Sequence, residues 1–295
     1  MMNTRSSLPA FLVLSLSLAL SPACKKNGDT ENPDGATGGE LSDGGTGEGE
    51  GAEAGGGEGE EAAPALPEQD PDPAEIESLY TRYLQGDYEA VANEAEEMRA
   101  GMTGDTQVRA HALLSSIAAL AEAETVPEKA QASSEQAVAD GERLEDPQVR
   151  QLGHIAHATY LVRVHEGPAG QAELEEALKL GGPYESLNYL MLGEAHLNQA
   201  FGTGDEDMKI KDPAQLEEAR SMYEAALANG NELLQAHAHE GLAGVAKYKR
   251  EDDKVCEHAQ AAEDLYAAGG ATEYIREVPS LLAKGAKCKN FKKAE

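Results

Sequence analysis

Residues 188–227 constrain the fold more than any other stretch. They read NYLMLGEAHLNQAFG, then an acidic loop, then AQLEEARSMYEAAL. Tyr189, Leu192, Gly193 and His196 stand at relative positions 0, 3, 4 and 7, and after the loop Ala219, Tyr223 and Ala226 stand at 0, 4 and 7. Either spacing lays a stripe along one face of a helix. The mixture of sizes has a steric purpose. Small residues let two antiparallel helices approach, and the larger ones fill the gap between them. Such a hairpin cannot cover its own apolar stripe, so it needs neighbours on both sides.

The same device recurs from Pro73 onward. Ile76, Leu79, Tyr80 and Tyr83 form one stripe, and GDYEA at 86–90 turns into a second helix ending near Met98. The next pair begins near Thr106 with Ala110, Leu113, Leu114 and Ile117, and its partner runs from about Val126 to Leu144. Asp146 and Pro147 start the third pair, an acid cap followed by proline at the first helical position. Val149, Leu152, Gly153 and Ala156 repeat the frame, and the helix AGQAELEEALKL stops at Gly181 and Gly182. Pro183 opens the fourth pair, Leu242 and Ala243 mark the fifth, and 256–268 supplies its second helix. A last helix from about Thr272 to Lys289, with Ile275, Val278, Leu281 and Leu282 inward, reads as a cap. Aromatic residues are only 4% and Trp is absent, which suits close helix packing and disfavours a β-rich core.

These motifs resemble the tetratricopeptide (TPR) pattern W-x2-L-G-x2-Y followed by A-x3-F, and Leu79 to Leu113 spans the TPR period of 34. Later intervals are 39, 40 and 50 residues (Leu113, Leu152, Leu192, Leu242), the last lengthened by GTGDEDMKIKDP at 202–213. The resemblance implies an all-α fold over 73–295: a TPR-like α-solenoid of about five helical hairpins plus a C-terminal capping helix, about eleven helices and no strand.

The segment 1–23 is of another kind. Arg5 gives a positive start, 10–20 an apolar run too short to span a bilayer, and Ser21 and Ala23 precede Cys24. It resembles a bacterial lipoprotein signal, which implies lipidation of Cys24 as the new N-terminus. Several acyl chains on one cysteine anchor firmly, at about 0.8 kcal/mol per buried CH2. No Asp follows the cysteine, which implies the outer membrane, and Lys25 and Lys26 can touch anionic headgroups. Residues 24–72 then form an acidic, Gly/Glu-rich tether. It lacks apolar periodicity and reads as disordered, with an r.m.s. span of roughly 35–40 Å.

With 24 Lys and Arg against 54 Asp and Glu, the formal net charge is −30, which argues against nucleic acid as a partner. In TPR arrays the first helix of each pair lines the concave face. That implies a polar groove with Glu77 and Thr81; His111 and Ser115; Arg150, His154 and His157; Glu194 and Asn198; and Glu240, Lys247 and Tyr248. Such a groove suits a peptide or a partner helix. His154 and His157 could share a metal with His111 or Glu194, but two histidines fall short of the three ligands zinc needs, so no metal or other cofactor is expected. Glu240 follows His239 without the second histidine of H-E-x-x-H, and no P-loop or G-x-S-x-G occurs. Cys256 and Cys288, in an oxidising compartment, are expected to form a disulfide that ties the cap down, with Cys288 late in the last helix. Met208 and Ile210 sit in the insertion and either dock on their own array or contact a partner. The combined reading is an outer-membrane-anchored adaptor, not an enzyme, for unknown envelope proteins. The alternative is a periplasmic metal-binding or enzymatic repeat protein using the histidines.

Overall fold

A computed structural model describes residues 71–102, 108–201 and 209–294. The expected signal, Cys24 and all but the last two residues of the tether lie outside the described residues, as does Met208. Among the described residues there are eleven helices and no strand, so the chain is all-α. They are α1 Pro73–Leu84, α2 Tyr88–Ala100, α3 Val108–Thr125, α4 Pro127–Leu144, α5 Pro147–Arg163, α6 Gly167–Leu180, α7 Glu185–Phe201, α8 Pro213–Asn229, α9 Glu232–Tyr248, α10 Asp252–Ala268 and α11 Glu273–Gly285. None of these helices is long and apolar enough to cross a membrane.

Local chemistry explains where the helices start. At α1 the Asp72 carboxylate accepts from the Ala74 N–H (2.9 Å) while Glu75 reaches back to the Asp72 N–H (3.3 Å). This is a reciprocal cap ahead of Pro73, which has no N–H to satisfy. Asp146 does the same work for α5, accepting from Gln148 N and Val149 N at 2.9 and 3.1 Å. Asp212 caps α8 and Asn231 caps α9, each at 3.0 Å.

Each helix packs on the next, and the odd-numbered helices α3, α5, α7 and α9 also meet one another in series. The core runs continuously between these layers through Leu114, Ile117, Leu152, Ile155, Leu174, Leu187 and Tyr266, all essentially without solvent contact. Close approach is set by glycine at two sites. Tyr223 of α8 wedges between Gly193 of α7 and Gly241 of α9, and a β-carbon added at either glycine would stand 2.6 or 2.5 Å from its ring. Leu192, Gly193 and Tyr223 of the 188–227 motif are thus buried at one junction.

Two elements depart from expectation. The last helix ends at Gly285 rather than Lys289. Lys287 takes a left-handed φ of 58° and the Cys288 N–H turns back to the Ala283 carbonyl at 2.9 Å, so Cys288 lies past the helix. Its sulfur is bonded to Cys256 of α10, with Cα atoms 5.5 Å apart. Nor does α11 cover the last pair alone; it also meets the α1–α2 turn. The Thr272 N–H donates to Gln85 O (2.8 Å) and Gln85 Nε2 donates to Gly269 O (2.9 Å). Gly86, at φ +84°, lies so close to Ile275 that any β-carbon would stand 2.6 Å from it. Of the insertion, Ile210 packs on the core, and the Lys211 and Asp212 N–H groups both donate to Ala200 O at 2.7 and 3.1 Å.

Candidate functional site

Of the twelve residues expected to share a groove, eight fall into two sets of four. His111, Arg150, His154 and His157 turn toward the even-numbered helices and find acids there. His111 Nδ1 is 3.3 Å from Asp140, Arg150 Nη2 is 3.0 Å from Glu142, and His154 Nδ1 is 2.6 Å from Glu173. His157 Nδ1 lies 3.6 Å from the other Glu173 oxygen. The two histidines hold the Glu173 carboxyl at about 2, and Glu173 in turn raises His154 above its usual range. The correction to the groove has a geometric cause. On a helix a residue one position off the inward stripe points some 100° away, at the flanking helix rather than the concave side. Ser115, expected beside His111, is fully buried and receives a hydrogen bond from Arg99 Nη1 at 3.1 Å.

The second set converges. Glu194 and Asn198 of α7 and Glu240 and Tyr248 of α9 line one cleft, closed on a further side by Val278 and Leu282 of α11. Counting its open mouth, the cleft holds about 680 Å³ of empty space. Its walls are Leu190, Leu197, Phe201 and Tyr223, and the Phe201 ring meets the Tyr248 ring at 4.4 Å, tilted by 54°. Gly244 opens the α9 side, since a β-carbon added there would meet no atom within 4 Å. Lys247 does not line the cleft; its ammonium lies 6.0 Å from the Tyr248 ring centre, and burial alone lowers its pKa.

The polar floor is a buried network. Arg163, at the end of α5, bridges Glu124 of α3 (2.5 Å) and Glu194 of α7 (3.0 Å). Burial by itself would discharge the guanidinium, but the two carboxylates keep its pKa raised. Burial raises Glu194 as well, against the pull of Arg163. Glu240, 7% exposed, has one oxygen 2.8 Å from the Tyr266 hydroxyl. The same hydroxyl stands 2.8 Å from His237 Nδ1, and His237 Nε2 stands 2.9 Å from the Leu84 carbonyl. A carbonyl only accepts, so Nε2 carries the hydrogen and Nδ1 must accept. The Tyr266 hydroxyl donates to Glu240. Burial pushes Glu240 up to about 8 and His237 down to about 4, so both are held neutral.

The relay ends on the first hairpin. Leu84 closes α1, and Tyr83 and Tyr88 beside it are buried within electrostatic reach of Glu124. Tyr80 meets the Tyr184 ring edge-on at 5.3 Å, and Tyr88 meets Tyr274 at 6.0 Å.

Sequence reasoning did not single out Arg163, Glu124, Tyr266 or Phe201, and it set His237 aside because it and His239, at i, i+2, point apart on a helix. One signal was available: Glu124 and Arg163 are 39 residues apart, the interval from Leu113 to Leu152, so opposite charges recur at one register position. Among the described residues no three His, Cys, Asp or Glu side chains are grouped so as to hold a metal ion. No protein-family model, curated protein or solved structure matches the chain.

Proposed function

We propose that this chain is a TPR-like helical-repeat lipoprotein, anchored through Cys24 to the outer membrane and extended from it by a disordered acidic tether. In this reading it is a non-enzymatic adaptor that binds an envelope protein in the α7–α9–α11 cleft and helps assemble or stabilise a multi-protein complex. The observation that carries the reading is the cleft itself. It is an apolar recess between successive repeat units with polar groups left to fix orientation, as binding sites between helices generally are. Asn198 and the Tyr248 hydroxyl line it, and neither has a hydrogen-bond partner among the described residues. The order of the N-terminal segment, ending on Cys24, supports the anchor, and the helical pairs in series support the repeat architecture.

Two experiments test the two halves. Cys24→Ser is expected to release the protein from the membrane fraction; undiminished membrane association would remove the lipid anchor from the account. A photo-crosslinking residue at Asn198 is expected to capture an envelope protein in intact cells, with capture abolished by Gly244→Leu, which fills the cleft. Capture that survives Gly244→Leu would place the interaction elsewhere.

A further inference from the structure

We propose that the cleft between α7, α9 and α11 is a binding site for a primary ammonium carried on an apolar stem, the group a lysine side chain presents, held by Glu240 and Glu194. The inference rests on the cleft being the binding site and adds the chemistry of what enters it.

The first ground is charge. Two buried glutamates, Glu124 and Glu240, and the largely covered Glu194 share this region with one guanidinium, Arg163, which pairs with Glu124 and Glu194. No salt bridge among the described residues joins a cation to Glu240. The second is an unfilled valence. Glu240 is more than nine-tenths buried and lines the cleft; one oxygen is engaged by Tyr266, and no hydrogen bond among the described residues engages the other. Glu194 likewise spends one oxygen on Arg163. The third is shape. The Phe201 and Tyr248 rings, with Leu197, Val278 and Leu282, form a sleeve for methylenes, and aromatic faces also favour a cation. A carboxylate-bearing ligand would meet like charge at Glu194 and no cation among the lining residues.

The relay gives this site a signature that a plain apolar cleft lacks. Burial keeps a proton on Glu240, whose other oxygen accepts from the Tyr266 hydroxyl, and Tyr266 in turn stands against His237. An ammonium beside Glu240 favours the ionised carboxylate, so binding releases that proton to solvent. The groups facing Glu240 do not supply this change themselves. They are His237 on α9 and Tyr266 on α10, both neutral, with Tyr88 on α2 and Tyr223 on α8, both neutral through burial. Glu194 on α7 and Glu124 on α3 oppose ionisation, Arg163 on α5 is committed to those two, α1 offers only a carbonyl, and α11 only Val278 and Leu282.

The test titrates the full chain with 1-hexylammonium, 1-hexanol and hexanoate by calorimetry and by NMR of cleft methyl groups. Hexylammonium is expected to bind about tenfold tighter than hexanol, with hexanoate excluded. Comparing phosphate with Tris buffer should reveal release of about one proton at pH 7, and affinity should rise roughly tenfold per pH unit from pH 6 to 7.5. Glu240→Gln should abolish both the proton release and the pH slope, and Gly244→Leu should abolish binding. Nα-acetyl-lysine-methylamide distinguishes the source: binding within a few-fold of hexylammonium points to a protein lysine, and its exclusion points to a free amine. Equal binding of hexanol and hexylammonium overturns the ammonium assignment while leaving the cleft as a binding site. No binding by any of the three probes overturns both.

Discussion

Replacing Glu240 by Gln should stabilise this protein at neutral pH, although it alters a buried hydrogen-bonded residue. The carboxamide keeps the shape, and its carbonyl oxygen accepts from the Tyr266 hydroxyl as the carboxyl does, so the contacts through His237 to Leu84 survive. What changes is the cost of neutralisation. Folding raises Glu240 from its ordinary 4.5 to about 8. Its contribution is therefore fully present below pH 4.5 and is lost as pH rises toward 8, because the folded form holds a proton that the unfolded form has released. Each pH unit in that window costs about 1.4 kcal/mol. At pH 7 the accumulated cost is roughly 3 kcal/mol, and a glutamine avoids it. His237 acts oppositely. Its pKa falls from 6.5 to about 4, so its contribution is present above pH 6.5 and is lost as pH falls toward 4. Between 4.5 and 6.5 the two slopes cancel, and above 6.5 Glu240 alone remains. Urea unfolding of the disulfide-intact wild type should therefore show a plateau followed by a loss of roughly 2 kcal/mol between pH 6.5 and 8. Glu240→Gln should flatten that decline and lie above wild type at pH 7. A variant less stable than wild type at pH 7, or one that keeps the decline, would refute the neutral relay.

Other perturbations separate packing from charge. Gly241→Ala pushes a β-carbon to 2.5 Å from Tyr223 and should cost about 1–3 kcal/mol, whereas Gly244→Ala enters open space and should gain about 0.5–1 kcal/mol in the same melting series. Arg163→Met leaves Glu124 and Glu194 buried without their shared cation, and should cost roughly 3–5 kcal/mol by urea unfolding. Cys288→Ser opens a loop with a sequence separation of 32, and should lower stability by about 3–4 kcal/mol relative to the disulfide-bonded wild type while matching the reduced wild type.

Much of the fold was legible because helix signals are local. Asp146 with Pro147, Asp212 with Pro213, and the stripes at Leu113 and Leu152 lie within a turn or two of what they specify. The end of α11 was misjudged because its apolar stripe continues past Gly285, whereas the chain turns at Lys287. The site was half legible. Glu194, Asn198, Glu240 and Tyr248 belong to one register on α7 and α9 and do meet in the cleft. His111, Arg150, His154 and His157 belong to the same helix series, yet each is taken by an acid on a neighbouring helix.

From the sequence by itself come the helices, their caps, their order, and the small-residue positions where two of them can touch, because these depend on neighbours within a few residues. Only the tertiary structure decides that the α1–α2 turn reaches α9 and α11, and that the Leu84 carbonyl finds His237, 153 positions away. It alone decides that Glu240 is buried without a cation. A contact between distant segments depends on how many small rotations accumulate from one helical pair to the next, and no single segment encodes that total.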